Sequence, residues 1–208
     1  MKKTALVMVC LFTISAAYSQ ISKGQKMIGG ELTFRSTTEE NTFFTGKYKT
    51  TTATVTPQIG FGLGGNWIAG GGVGFAYQSS KSGTGNNYTK QTANIYSAGL
   101  FVRHFHPFND KMGIFGQLDA GAGFGKSEEK MVSGPNTITT ERDVTNISAM
   151  LKPGFYFKAT RRIILEAGFG GFSYTSTTNK PENGEKTTFS AFDFALLSTL
   201  NFGFQVIL

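Results

Sequence analysis

From Ile28 onward the chain alternates with a period of two between large apolar residues and small or polar ones, the signature of strands with two unlike faces. Ile28, Leu32 and Phe34 face one way, while Gly29, Glu31, Thr33 and Arg35 face the other. Val55, Ile59, Phe61 and Leu63 alternate with Thr54, Thr56, Gln58, Gly60 and Gly62; Trp67, Val73, Phe75 and Tyr77 alternate with Gly70, Gly72, Gly74 and Gln78. Next, Tyr96, Leu100 and Val102 stand against Ser97, Gly99 and Arg103, with Phe101 an exception on the small face. Ile114, Leu118 and Phe124 oppose Gln117, Asp119, Gly121, Gly123 and Gly125; Ile147, Leu151, Phe155 and Phe157 oppose Ser148, Lys152, Gly154 and Tyr156. Ile163, Leu165 and Phe169 oppose Glu166, Gly168 and Gly170, and a final run from Phe192 to Leu208 sets Phe, Leu and Val against Asp193, Thr199, Asn201, Gly203 and Gln205. The pattern predicts about eight strands of roughly 9–11 residues, the length with which a tilted strand crosses a bilayer.

The connections alternate in length. Residues 64–66, 106–112 and 158–162 are short, whereas 36–51, 79–90, 127–143 and 176–188 are long, polar and rich in Thr, Asn, Gly and Lys. Long loops at one end and short turns at the other are the layout of an outer-membrane barrel with both termini in the periplasm. A lipocalin-like soluble barrel also has about eight alternating strands, and Gly65-Asn66-Trp67 echoes its Gly-x-Trp. Volume separates the two. The apolar face carries about thirty large side chains, and a small barrel interior holds about three layers of four. Those side chains therefore face outward, towards lipid. The expected fold is an all-β, eight-stranded antiparallel up-and-down transmembrane β-barrel, with Trp67, Tyr77, Tyr96 and Tyr174 near the lipid-water boundaries.

The run SAGLFVRHFHPFNDKMGIFGQLDAGAGFGKS, residues 97–127, resembles the strand-turn-strand unit of the porin-family outer-membrane β-barrel domain of Bacteroidota. In that unit an aromatic-Val-Arg strand and a Pro turn precede a Phe-Gly-x-x-x-Gly-x-Gly strand. The terminal NFGFQVIL is similar to the signal by which the barrel-assembly machinery recognises a last strand, carried here by Asn201, Gly203, Val206 and Leu208, with Leu208 where many such proteins end in Phe. Similarity to OmpA- and OmpX-type barrels implies a structural, adhesive or narrow-pore role.

Composition and the N-terminus agree with export. Lys2 and Lys3, the apolar stretch from Ala5 to Ile14 and the small residues at Ala17 and Ser19 read as a signal peptide over 1–19, leaving 20–208 as one barrel domain. Cys10, the single cysteine, lies inside that leader, so the exported part has no disulfide. The formal charge of +7 includes Lys2 and Lys3, and the remaining excess suits anionic lipid. The expected partners are outer-membrane lipid, lipopolysaccharide and the assembly machinery, with no nucleic acid, no nucleotide and no cofactor, and the chain is expected to be a monomer.

Three motifs suggest chemistry at first sight. Ala120 to Ser127, AGAGFGKS, approximates a phosphate-binding loop, which requires a helix after the glycines; the following EEKMVSGPNTITTERD is broken at Gly134-Pro135. Gly60-x-Gly62-x-x-Gly65 matches the dinucleotide fingerprint but leads into another glycine-rich strand. His104 and His106, the only histidines, sit beside Pro107 with Ser97 a strand-length away, so no hydrolytic triad is evident and no enzyme is expected. What remains is the charge on the small face. Glu31, Arg35, Arg103, Asp119, Lys152, Glu166 and Asp193 are expected to form an internal network, because buried charges persist only when paired. That network either fills the lumen or lines a narrow water path. Recognition of host, phage or lipopolysaccharide molecules by the long loops is the alternative role, and a lipocalin-like ligand carrier a remote one.

Overall fold

A computed structural model describes residues 21–41, 46–181 and 184–208; the expected signal segment with Cys10 lies outside the described residues. Eight strands follow one another: β1 (Lys26–Asn41), β2 (Gly46–Gly64), β3 (Trp67–Thr84), β4 (Asn87–Pro107), β5 (Met112–Ser133), β6 (Asn136–Lys158), β7 (Ile163–Pro181) and β8 (Thr187–Ile207). Each pairs antiparallel with its neighbours in sequence, and β1 pairs with β8 to close the ring. The chain is thus an all-β, eight-stranded antiparallel up-and-down barrel. The closing seam is short: β1 pairs with β2 from Lys26 to Asn41, but with β8 only from Met27 to Leu32, opposite Ile207 to Phe202. Just past that seam the Thr33 hydroxyl donates to Asn201 Oδ1 at 2.8 Å.

The strands are longer than the hydrophobic pattern predicts, 16 residues in β1 and 23 in β6, and the four long polar loops are a misreading. Residues 79–90 and 127–143 are strand apart from two-residue turns at Gly85-Asn86 and Gly134-Pro135. Much of 36–51 and 176–188 is strand as well. Threonine-rich runs suit a pleated backbone as well as apolar ones do. Here they are tied across strands by hydroxyl contacts such as Ser190 to Ser176 at 3.0 Å and Thr178 with Thr188 at 3.1 Å. Gly85 and Gly134 supply the positive φ, 57° and 56°, that such tight hairpins need. The two ends of the barrel differ in how far the strands run beyond the apolar belt.

The outward phase is apolar, as expected. Leu32, Phe34, Val73, Tyr96, Leu100, Phe124, Ile147, Phe172, Phe192 and Phe202 are all exposed. A contiguous apolar surface of this size marks a membrane or protein contact. In β7 the alternation changes phase. Ile163 and Leu165 point out on odd positions, Phe172 and Tyr174 on even ones, with buried Gly170 and Gly171 between them. The register with β6 shifts by one residue at this point, Gly154 facing Gly168 but Leu151 facing Phe172. This is a β-bulge, and it keeps both halves of the strand facing the belt. Gly171 has φ 150°, and a Cβ there would run into the Leu151 carbonyl oxygen. Gly171→Ala is therefore expected to lower folding stability by about 1–3 kcal/mol, read as a lower urea midpoint for the detergent-refolded barrel, whereas Gly116→Ala, where a Cβ meets nothing within 4 Å, should leave the midpoint unchanged.

Candidate functional site: a plugged lumen with a charged centre

The inward phase is not uniformly small. Towards the short-turn end it carries Met27, Ile68, Phe105, Phe115, Tyr156 and Ile164, all buried and in one cluster with Phe101, which stands one inward position nearer the extension side than Arg103. Phe105 meets Tyr156 edge-on with ring centroids 5.0 Å apart and lies 6.0 Å from Phe115. Ile21 joins the cluster from the segment before β1. That segment is held across the barrel end by the Ile21 N–H donating to Asn66 Oδ1 at 3.1 Å and by Gly62 N–H donating to the Gln25 carbonyl at 2.7 Å. An apolar plug thus stands on the face that the sequence shows as mostly small and polar; Tyr156 is part of it, and Phe101, the apparent exception, belongs to the same cluster.

The charges rest on this plug. Arg103 on β4, 1% exposed, donates through its guanidinium to Glu166 on β7 and, through Nε, to Gln117 Oε1 on β5. Its other terminal nitrogen lies 3.6 Å from Glu31 on β1. Lys152 on β6 donates to both Glu31 oxygens at 2.7 Å and lies 3.3 Å from Asp119. Gln117 donates in turn to Asp119, and Gln205 on β8 donates to Glu166 at 3.4 Å. The guanidinium carbon also sits 4.8 Å from the Phe115 ring centre, so aromatic rings pack against the cation while its nitrogens make the ion pairs.

Five of the seven expected lumen charges, Glu31, Arg103, Asp119, Lys152 and Glu166, are therefore brought together. Arg35 and Asp193 are not part of the cluster; both are exposed. Arg35 lies four residues beyond Glu31, about 13 Å at strand rise. Ser173, the cross-strand partner of Asp193, lies about 23 Å along β7 from Glu166. Phase fixes which face a residue takes, and height along the strand then decides whether charges meet. Gln117 and Gln205 carry no charge and so stand outside the expected network, yet both share the inward phase and are buried.

Little space remains in this layer. Beside the cluster, between Phe115, Glu166, Asn201 and Gly203, only about 10 Å³ is open, about one water's worth. On the extension side the lumen widens into a cavity of about 320 Å³ bordered by Glu31, Thr56, Gln58, Ser97, Asp119 and Lys152. Ala120 to Ser127, the stretch resembling a phosphate loop, lies wholly within β5. Its Gly123 is buried, its Phe124 and Lys126 are exposed, and a Cβ at Gly121 would come within 2.8 Å of the Ala98 carbonyl oxygen. These glycines let the wall close in.

Among the residues matching the assembly signal, Gly203 has a further local role. A Cβ there would stand 3.2 Å from Glu166 Oε2 and 3.4 Å from Glu31 Cγ, so the glycine makes room for the charge cluster. Asn201 fastens the seam, Val206 pairs with Ile28 and Ile163, and the Leu208 N–H donates to the Lys26 carbonyl at 2.9 Å. His104 and His106 belong to the wall near the short-turn end, where they lie against Trp67 at 4.6 Å and Phe108 at 6.2 Å between ring centres.

The fold and lumen define a small barrel with an apolar exterior, a closed end and an ion-paired centre. No family model matches the chain, and no curated protein matches it. Among solved structures it is similar to Neisserial surface protein A, at 14% identity and a TM-score of 0.37, over 90% of this chain and 98% of that one.

Removing one partner of a buried pair costs more than the pair contributes, because a charge is left uncompensated. Arg103→Met, which leaves Glu166 with the Gln205 amide as its hydrogen-bond donor among the described residues, is expected to destabilise the barrel by about 3–5 kcal/mol. Adding Glu166→Gln should restore most of that loss, and a double-mutant cycle on urea unfolding in detergent measures the coupling.

Proposed function

We propose that the chain is a small outer-membrane barrel of structural role, exported by its N-terminal signal and folded by the barrel-assembly machinery through its last strand. It would sit as a monomer among outer-membrane lipid and lipopolysaccharide, with both termini in the periplasm. The exposed apolar belt, the resemblance of residues 97–127 to the porin-family unit and the pattern of NFGFQVIL support this reading. One observation carries the choice of a structural over a pore role. The apolar plug of Ile21, Met27, Ile68, Phe105, Phe115, Tyr156 and Ile164 closes the short-turn end beneath the charge cluster, and Phe101, of the same cluster, packs beside Arg103 and borders the wider cavity. An ion on that route would have to separate Arg103 from Glu166 and then cross an apolar layer without water, and neither step is compensated.

The purified barrel in planar bilayers is expected to show no steady conductance, and Phe101→Ala combined with Phe115→Ala is expected to produce it. Steady wild-type steps whose size changes in Asp119→Ala would overturn the structural reading in favour of a narrow pore. Surface recognition is a second reading, favoured by the polar strand extensions that carry exposed hairpin tips at Gly85-Asn86 and Gly134-Pro135. Rejoining Lys130 to Thr139, which face each other across β5 and β6, through a Gly-Asn turn removes one tip. Loss of cell adhesion with an intact barrel would support that role.

A further inference from the structure

Beyond the apolar belt, on the extension side, the outer wall carries a row of like charges. Lys49 on β2 faces Lys81 on β3, Lys81 faces Lys90 on β4, and Lys90 faces Lys130 on β5. The four share the outward phase of their strands with Val55, Val73, Tyr96 and Phe124, which are exposed in the belt. Thr38 and Thr139 stand at the two ends of the row. Three interstrand steps of ~4.8 Å make it about 14 Å long, and the tilt of barrel strands makes it climb about 9 Å away from the belt.

Like charges directly opposite one another destabilise a sheet, and here the juxtaposition occurs three times in succession. Among the described residues no carboxylate forms an ion pair with any of the four. The neighbouring patch on β5 and β6 is built differently. There Lys126 lies 3.8 Å from Glu141 and faces Asp143, so its charge is matched within the wall. In the row, by contrast, the Lys81 ammonium stands 4.3 Å over the Tyr88 ring. An ammonium held over an aromatic ring is a common interfacial pairing, and the outward positions between the row and the belt are mostly polar, among them Thr51, Ser79, Thr92 and Asn94.

We propose that Lys49, Lys81, Lys90 and Lys130 form a binding site for the phosphorylated head group of a lipid packed against the barrel, whose acyl chains lie on the belt below. The proposal rests on the outer-membrane reading above. An ammonium is a compact point charge that suits phosphate without demanding one geometry, and four in a row can contact several phosphate oxygens at once. Phosphate between them would remove the repulsion that the bare row carries.

The test uses the full barrel in phosphatidylcholine nanodiscs doped with bis-phosphorylated lipid A or with its dephosphorylated form. Lipid retained by the protein after detergent extraction is measured by mass spectrometry. Wild type is expected to retain the phosphorylated form at least tenfold over the dephosphorylated one. The variant K49Q/K81Q/K90Q/K130Q should lose that preference, the corresponding all-arginine variant should keep it, and K126Q/K180Q, altered outside the row, should also keep it. Equal retention of both lipids by wild type, or an equal loss in K126Q/K180Q, overturns the site. Micromolar binding of inorganic pyrophosphate by lipid-free protein, without lipid preference, also overturns it in favour of a soluble anion. A wild-type chain that shows no heat-dependent gel shift in detergent overturns the membrane barrel itself, whereas a normal shift without lipid preference overturns only the lysine site.

Discussion

An eight-stranded ring has room for few large inward side chains, and the Arg103 guanidinium occupies the centre of that room. Its neighbours are arranged to permit this. Phe101 lies where a Cβ at Gly70 would come within 2.8 Å of its ring, and Tyr156 where one at Gly113 would come within 2.7 Å. Phe115 presses on Gly154 in the same way, and Glu166 and Glu31 on Gly203. Each of these inward residues is thus set against a glycine on an adjoining strand, the alternation of large and small by which a narrow barrel is filled. The many glycines of this chain are in part the spaces into which a few large residues fit.

That complementarity explains which features could be read from the sequence. Strand number, the closed antiparallel ring and the outward apolar face follow from period two, because a residue's phase sets its face whatever its neighbours do. Phase says nothing about height. Arg35 and Asp193 share the phase of the other lumen charges yet lie too far along their strands to meet them. The plug was hidden for a related reason. Phe105, Phe115 and Ile164 share the phase of Arg103, Gln117 and Glu166, and a face described as small by its glycines conceals the large residues at one end of it.

The polar halves of the strands carry no apolar alternation, because alternation stops where the belt stops, while the strands do not. Thr50-Thr51-Thr52 within β2 and the Thr-rich run at 137–140 beside Gly134-Pro135 carry the strand signal instead, since β-branched residues suit a strand even without an apolar face. Beyond the belt the wall is held by backbone pairing and hydroxyl contacts. Its side chains are then free to serve whatever medium surrounds them, and a row of lysines can be accommodated there that would be prohibitive lower down.

The charge cluster itself is unbalanced, with Glu31, Asp119 and Glu166 against Arg103 and Lys152. Where the surplus falls follows from exposure. The Glu166 side chain is 2% exposed and bonded to Arg103 and Gln205, Glu31 is 14% exposed and bonded to Lys152, and Asp119 is 27% exposed and borders the open cavity. The deepest carboxylate therefore has the most committed cation, and the third, least matched acid stands where the lumen is wide enough for water. A reversed order would leave an unpaired carboxylate against the aromatic plug, the arrangement that buried charge least tolerates. The grading of the three acids along the lumen axis is thus as much a condition of the fold as the ion pairs themselves.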